Sequence, residues 1–586
     1  MDTPPISAQD TAGATTCPPG AEGGTLPAMG RGETRRRAGA PTGEPYDFIV
    51  VGSGFGGSVS ALRLAEKGYR VLVLEAGKRF GADDFAKTSW NLRRYLWLPA
   101  LGCYGIQRLK LFRDVLVLAG AGVGGGSLMY ANTLLAPHDE VFSSATWPRG
   151  ADWKARLAPH YATARRILGV TPTPRIWAGD EALAAFAAAT GRSASFTRTE
   201  VAVLFGDRPG EDIGDPYFGG EGPPRSTCTA CGGCMVGCRF NAKNTLDKNY
   251  LYFAEKLGAE VLPETTATLI APDGEGGYLV RTRRTTGKLR RGHRTLRARG
   301  IVVAAGAMGT TDLLLRCREA GTLPDLSPAL GRRVRTNSEV LCGVNARGGD
   351  VDYSEGIAIA SSLYTSADTH IEVVRYSEGS DFMAFLGTLQ VGPGTRLTRP
   401  LKWARTCARH PLDFLRTLIP FGWARRTVIL LVMQSIENSI RLVRRRHWYW
   451  PFTRRLGSRR DPGQPLIPSY IPVANEAGRA VAKTIGGFPG SAINEALLDV
   501  PMTAHILGGA CMGSGPEDGV VDEHNRVFGH PGLWVVDGAS VPANLGVNPS
   551  LTIAAIAEHA MSVIPPKDPA AGLRPLPPQA RAAHDS

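Results

Sequence analysis

Apolar positions in this chain fall into short solid runs rather than long amphipathic stripes. Residues 47–51 (Asp-Phe-Ile-Val-Val) and 71–75 (Val-Leu-Val-Leu-Glu) each hold four apolar residues in a row. Runs of that length without alternation predict parallel strands covered on both faces. Between them, residues 58–67 carry Val59, Leu62 and Leu64 among small residues, a helical pattern that Gly68 ends. Similar runs recur at 301–304, ahead of a helical stretch over 311–318, and at 533–536, ahead of Asp537-Gly538-Ala539. Strands of one sheet dispersed so widely predict an α/β domain interrupted by insertions.

The first strand and helix are joined by Gly52-Ser53-Gly54-Phe55-Gly56-Gly57, and the second strand ends in Glu75. Strand, Gly-x-Gly-x-x-Gly, helix, strand and acid within about thirty residues is the dinucleotide-binding pattern. Gly52 permits the tight turn, Gly54 lets backbone approach a pyrophosphate, and Gly57 lets helix and strand pack closely. The helix N-terminus faces the phosphates, and Glu75 is placed to accept from ribose hydroxyls. A second glycine loop, with Gly122, Gly124 and Gly126 before Ser127, starts no second unit of this kind. A loop so stripped of side chains suits contact with a flat, extended cofactor.

Composition narrows the class. The 43% apolar and 20% charged content over 586 residues is that of a globular chain of two or three domains. The first 45 residues, rich in Pro, Gly, Ala and Thr, read as a disordered tail, as do those from about 565 onward. Arg35-Arg36-Arg37 is followed by no apolar stretch of signal-peptide type. The longest interior apolar run, 428–433, is far too short to cross a bilayer. These features lead us to expect a cytoplasmic protein.

The ordered set of motifs resembles the glucose–methanol–choline (GMC) family of flavoprotein oxidoreductases, and within it the cholesterol oxidase group. The residues that carry it are the 52–75 unit, Gly-Val-Gly-Gly-Gly-Ser-Leu at 122–128, Ala-Gly-Ala-Met-Gly at 305–309, His-Ile-Leu-Gly-Gly at 505–509, and Asp537-Gly538 through Gly546-Val547-Asn548-Pro549. The resemblance implies a Rossmann-like FAD-binding domain of glutathione-reductase type with an inserted α+β substrate domain. FAD would be held by Gly52, Gly54, Phe55, Gly56, Gly57, Glu75, Gly122, Gly124, Gly126, Asp537, Gly538 and Asn548. The flavin segments would be 46–135, 226–340 (with a cysteine loop) and 496–564. A substrate or lid insertion would occupy 136–225, and the substrate domain 341–495.

The resemblance also implies that His505 and Asn548 are the reacting groups. Alcohol oxidation by a flavin needs a partner for the hydroxyl proton, and histidine titrates near neutrality. Asn548 is no base, but its amide can orient a hydroxyl. The implied activity is oxidation of the 3β-hydroxyl of a sterol, with oxygen as acceptor. The alternative is a dehydrogenase of another bulky apolar alcohol that passes electrons to a redox partner. Members of the group also use a glutamate, just before an apolar strand, to shift the steroid double bond. A gapless match to the strand at 427–433 puts Arg426 there, and a guanidinium cannot shuttle this proton. Isomerisation is then not expected unless Glu372, Glu378 or Asp381 substitutes.

Two features stand outside that pattern. Cys228, Cys231, Cys234 and Cys238 have the x2, x2, x3 spacing of a ferredoxin run. An iron–sulfur cluster, a structural zinc and a loop of reduced thiols are the three readings. Residues 402–460 hold 14 basic and 2 acidic residues, most of the net +14 of the chain. Trp403, Phe414, Phe421, Trp423, Trp448, Tyr449, Trp450 and Phe452 interleave with them. That composition points either to a membrane surface or to a solvated basic face. No recognition motif for nucleic acid accompanies it.

Overall fold

A computed structural model of the chain describes residues 44–287, 292–447, 450–570, 572–573 and 575–576. The tail expected over 1–45 lies outside the described residues up to 43, as does most of the C-terminal tail from 577; Trp448 and Tyr449 lie outside them too.

The first sheet is built around three parallel strands. Tyr46–Val51 (β1) pairs with Val71–Leu74 (β2) on one side and with His293–Val303 (β3) on the other, in the register Ile49↔Leu72 and Val50↔Val302. Glu260–Leu262 extends the sheet beyond β2, and Leu533–Val535 runs parallel to the far end of β3. Two antiparallel strands, Thr265–Pro272 and Tyr278–Arg284, complete it. Ile49, Val50, Val71, Val73 and Val302 are fully buried, as solid apolar runs require.

Phe55–Glu66 (α1) crosses from β1 to β2 and lies very close to the sheet. A Cβ on Gly56 would stand 1.7 Å from the Val536 carbonyl oxygen, and one on Gly57 would stand 2.0 Å from that of Gly52. The turn itself needs glycine at Gly52, whose φ is +108°. Gly306–Glu319 (α2) follows β3 directly.

The second sheet is antiparallel and seven-stranded. At its centre Val340–Ala346 (β4) and Thr369–Val374 (β5) flank a third strand, Thr427–Gln434 (β6). Gly487–Ala492 and Gly387–Leu389 lie beyond β4, and Ile359–Ser366 and Phe196–Arg198 beyond β5. Alternation sorts its side chains. Cys342, Val344, Ile371, Val373, Leu430 and Val432 pack on the helices Ala178–Ala189 and Pro472–Thr484. Leu341, Gly343, Val374, Ile429 and Leu431 face the flavin domain across a cavity. Between β5 and β6 in sequence lie the helices Thr398–Arg409 (α3) and Pro411–Leu418 (α4) and a single turn, Trp423–Arg426.

The basic segment 402–460 is therefore not one face. It runs through α3 and α4, passes through the buried core as β6, and emerges as the hairpin Ile440–His447 with Trp450–Arg460. The last helix, Ser550–Ser562 (α5), is joined to α1 by Arg63 Nε, which donates to Glu558 at 2.6 Å.

Gly56→Ala is expected to destabilise the protein by about 1–3 kcal/mol, the usual cost of overpacking a rigid contact. Thermal unfolding with bound cofactor checks this; an unchanged Tm would mean that α1 can retreat from Val536.

Candidate active site

His505 follows the short strand Met502–Thr503, which pairs in parallel with the strand Leu116–Gly120 at Met502↔Leu116. Its backbone N–H donates to the Thr503 hydroxyl at 2.9 Å, and that hydroxyl donates to the Thr336 carbonyl at 2.9 Å. Both oxygens of Glu339, at the foot of β4, are turned to this turn. One takes a short hydrogen bond from His505 Nδ1, and the other accepts from the Ala504 N–H at 2.8 Å. A proton held on Nδ1 by the carboxylate leaves Nε2 with its lone pair free to accept.

Nε2 faces Asn548, whose Nδ2 stands 3.5 Å away and also donates to Glu372 Oε2 at 3.1 Å. Four residues from four segments thus form one row: Glu339, His505, Asn548, Glu372. On β5, Glu372 shares the face of Val374, which lines the cavity. The Asn548 Oδ1 and Glu372 Oε1 atoms are buried without a protein partner.

Electrostatics separates the two titrating groups. Burial alone would push the His505 imidazole down, but the Glu339 charge and hydrogen bond, aided by Glu372, carry it above its usual value. Burial raises the Glu372 carboxyl to about 7, against the pull of the Asn548 amide and of His505. A carboxyl poised near neutrality beside a raised imidazole can exchange protons with a substrate.

Asn337 sets the row. Its Nδ2 donates to the Val547 carbonyl at 2.8 Å, and its Oδ1 accepts from the N–H groups of Leu545 and Gly546, both at 3.0 Å. Its φ of 58° is one that asparagine tolerates better than most residues.

Glu339, His505 and Asn548 of the row line a cavity of about 350 Å³, and Glu372 lies buried behind Asn548. One lobe is lined by Gly54, Phe55, Gly56, Gly126, Asp537 and Gly538; the other is apolar, with Tyr376, Met383, Leu386, Trp423, Ile429 and Leu431. In the first lobe α1 and α5 begin with no side-chain cap and no acidic residue in their first turns, so their N–H groups are open to an anion or a polar ring edge. A Cβ on Gly54 would meet nothing within 4 Å. This lobe fits a dinucleotide.

The remaining residues of the expected cofactor set lie behind that wall. Gly52 and Gly57 make the close packing already described. Glu75 is buried, with Oε2 accepting from the Ser53 hydroxyl at 2.6 Å and Oε1 from the Gly77 N–H at 2.7 Å. The Gly124 N–H donates to the same Ser53 hydroxyl at 3.1 Å, and Gly122 has a φ of +128°. Glu75 and Ser53 thereby clamp the two glycine loops together. Asp537 accepts from the Gly306 N–H at 2.8 Å and the Ala539 N–H at 2.7 Å, and burial lifts it to about 6.

Arg426 does not take the place of an isomerising acid. Its guanidinium donates to the carbonyls of Phe421 at 3.1 Å and Ile419 at 2.6 Å, holding the loop before β6. Glu378 pairs with Arg425 at 3.5 Å, and Asp381 accepts from the backbone of Gly422 and Ala424. Of the three acids considered, Glu372 is the one beside Asn548. Glu339 was absent from the expected set; a carboxylate opening a buried strand was its only signal.

For Cys228, Cys231, Cys234 and Cys238 the reading of a loop of reduced thiols is the one the side-chain geometry supports. Among the described residues no group of three or more His, Cys, Asp or Glu side chains is arranged to hold a metal ion. The thiols are free, with Cys231 exposed and the other three half-buried. The buried Lys243 ammonium ties the loop to the segment 128–130, donating to the carbonyls of Leu128, Tyr130 and Cys234 at 2.8–3.0 Å.

Family profiles agree with this architecture. Residues 50–93 match an NAD(P)-binding Rossmann-like domain, and residues 224–333 and 469–557 match GMC oxidoreductase. A cholesterol oxidase of Acinetobacter baumannii is 48% identical over 530 residues, 89% of this chain and 95% of that protein. A cholesterol oxidase of Mycobacterium tuberculosis is 48% identical over 540 residues, covering 89% and 91%. The chain belongs to the GMC oxidoreductase family. It is accordingly an FAD-dependent oxidoreductase acting on CH–OH groups. The fold alone extends to a pyridoxine 4-oxidase of Mesorbium loti, with a TM-score of 0.55 at 16% identity over 89% of this chain and 99% of that one.

Glu339→Gln removes the charge that raises His505. The imidazole must be neutral to accept a proton, so flavin reduction in the parent falls as pH drops through its pKa. In the variant that limb is expected to move to lower pH, with the plateau rate down at least about tenfold from loss of the oriented tautomer. Stopped-flow reduction across pH reads both; an unmoved limb would separate Glu339 from the titration.

Proposed function

We propose that this GMC oxidoreductase oxidises the 3β-hydroxyl of a sterol and then moves its double bond, with oxygen as electron acceptor. The observation that carries the reading is the row Glu339–His505–Asn548–Glu372, whose first three members line the cavity that the apolar lobe belongs to. The cholesterol oxidase names of the relatives support the substrate class. FAD, when bound, supplies the acceptor for the hydride of the carbinol carbon. His505 Nε2 takes the hydroxyl proton, and the Asn548 amide holds the hydroxyl in line. Apolar walls exclude water from the reacting carbon. The electrons leave with oxygen as hydrogen peroxide, and the substrate arrives from a lipid phase.

Moving the double bond means removing a proton from one ring carbon and delivering it to another. Glu372 is suited to both, because a carboxyl near 7 is a competent base and acid at neutral pH. The step needs the ionised form first, so it quickens as pH rises through about 7.

Peroxide and conjugated-enone absorbance followed together on a 3β-hydroxy-Δ5 steroid test this. In the parent the two are expected in step. His505→Ala should lower both by at least about 10²-fold. Glu372→Gln should spare peroxide within a few-fold and slow enone formation by at least about 10²-fold. Enone formation unaffected in Glu372→Gln would remove it as the shuttle, and no peroxide from any sterol would remove the substrate class.

A further inference from the structure

Behind the row, one buried imidazole has no hydrogen-bond partner among the described residues. His370 lies two residues before Glu372 on β5, on the same face of the strand. It is 1% exposed, and neither of its ring nitrogens is satisfied by the protein. The Gly546 backbone approaches the ring without forming a hydrogen bond. Burial, with His138 nearby, pushes the imidazole down to about 3, so it stays neutral and can both donate and accept. Buried polar groups that lack a protein partner are satisfied by ordered water.

The neighbours of His370 form a line to the surface. Tyr364 sits directly opposite it on the adjoining strand, Ile359–Ser366, and stacks on the imidazole with ring centroids 4.4 Å apart and planes 17° from parallel. The exposed His138 meets the same tyrosine edge-on, with centroids 4.2 Å apart. A stacked ring covers the face of His370 and leaves free its edge, which carries both nitrogens. On the other side β6 places the buried Met433 opposite it, which offers no strong hydrogen-bonding group. At the inner end Glu372 Oε1 is likewise buried without a protein partner. One strand repeat, about 6.8 Å, separates the two residues along β5, a gap that a water molecule spans. His138, Tyr364 and His370 all lie outside the cavity lining.

We propose that His370, with water held at its two nitrogens, is a proton relay from Glu372 to solvent at His138, separate from the cavity that admits the substrate. This rests on the reading of Glu372 as the group that moves the double bond. Glu372 gives its proton to a water, the imidazole takes one at one nitrogen as it releases one from the other, and the released proton leaves through water at His138. The reverse passage returns a proton to the carboxylate, so no charge is left on the ring. A substrate that fills the apolar lobe shuts the cavity to water, and the relay keeps the carboxyl in exchange with solvent from behind. It thereby sets how much of the proton taken from one ring carbon reaches the other.

Two measurements on the FAD-loaded protein test this. In the first, protein at a pH below the value of about 7 to which Glu372 is raised is mixed into deuterium oxide. The infrared carboxyl band that Glu372→Gln removes is then followed as its proton exchanges. Exchange in His370→Leu should be at least about tenfold slower than in the parent. His370→Gln, which keeps a donor and an acceptor to hold the water, should recover part of the rate, and His138→Ala should slow exchange at the outer end. In the second, a 3-keto-Δ5 steroid deuterated at the carbon between the ketone and the double bond is isomerised in ordinary water. His370→Leu should carry at least about twofold more of the label into the product than the parent. Equal exchange and equal retention in parent and His370→Leu overturn the proposal. Should His370→Leu not fold, His138→Ala decides, and parent-like exchange in it overturns the relay. If Glu372→Gln isomerises the ketone as fast as the parent, the reading of Glu372 fails, while the infrared measurement still judges the relay.

Discussion

The amide of Asn337 stitches two stretches of chain about two hundred residues apart, and the Glu339–His505–Asn548–Glu372 row depends on that seam. Three hydrogen bonds join it to Leu545, Gly546 and Val547, and the Asn337 backbone N–H adds one to the Asn544 side chain. On one side of the seam the chain enters the strand that carries Glu339; on the other it enters Asn548 and helix α5. The imidazole lies between them, its tautomer set from one side and its lone pair facing the other. A side chain outside the row therefore fixes the spacing of the groups within it. An asparagine is suited to it, since one amide offers a two-fold acceptor and a donor at the same point and accepts a left-handed backbone.

The division of labour between the two sheets follows from how each is covered. The parallel sheet is buried on both faces, so its strand ends and helix starts are where backbone N–H groups face a ligand. The antiparallel sheet packs helices on one face and turns the other to the cavity. The two neighbours Val373 and Val374 belong to different environments for that reason alone. A carboxyl placed on the cavity side of such a sheet has little water to stabilise its charge, and this is why burial is the first cause of the shift at Glu372.

What could be read from the chain was what is local. The unit from Gly52 to Glu75 declares itself because turn, helix and strands are contiguous, and His505 and Asn548 each sit in a short recognisable turn. Glu339 could not be found this way, since its meaning lies in a contact with residue 505. Glu372 was among three acids that local sequence could not rank; only the pairing of β5 with β6 and the alternation of its face single it out. Arg426 was placed by a gapless match to the strand that follows it, and its guanidinium is engaged by the carbonyls of Ile419 and Phe421. The cysteine spacing is that of a ligand run, but spacing along the chain does not by itself bring four thiols to a common point.

The sheet closes late in the chain. Strand β1 gains its neighbour β3 only after some two hundred and fifty residues, and β3 gains Leu533–Val535 after some two hundred and thirty more. The helix tied to α1 through Arg63 and Glu558 comes later still. A ribosome making this protein N-terminus first exposes two hydrophobic parallel strands long before anything can cover their open edge. The topology has a high contact order, slow assembly and a prolonged need for protection from aggregation, and a nascent chain gains a closed flavin cradle only when it is nearly complete.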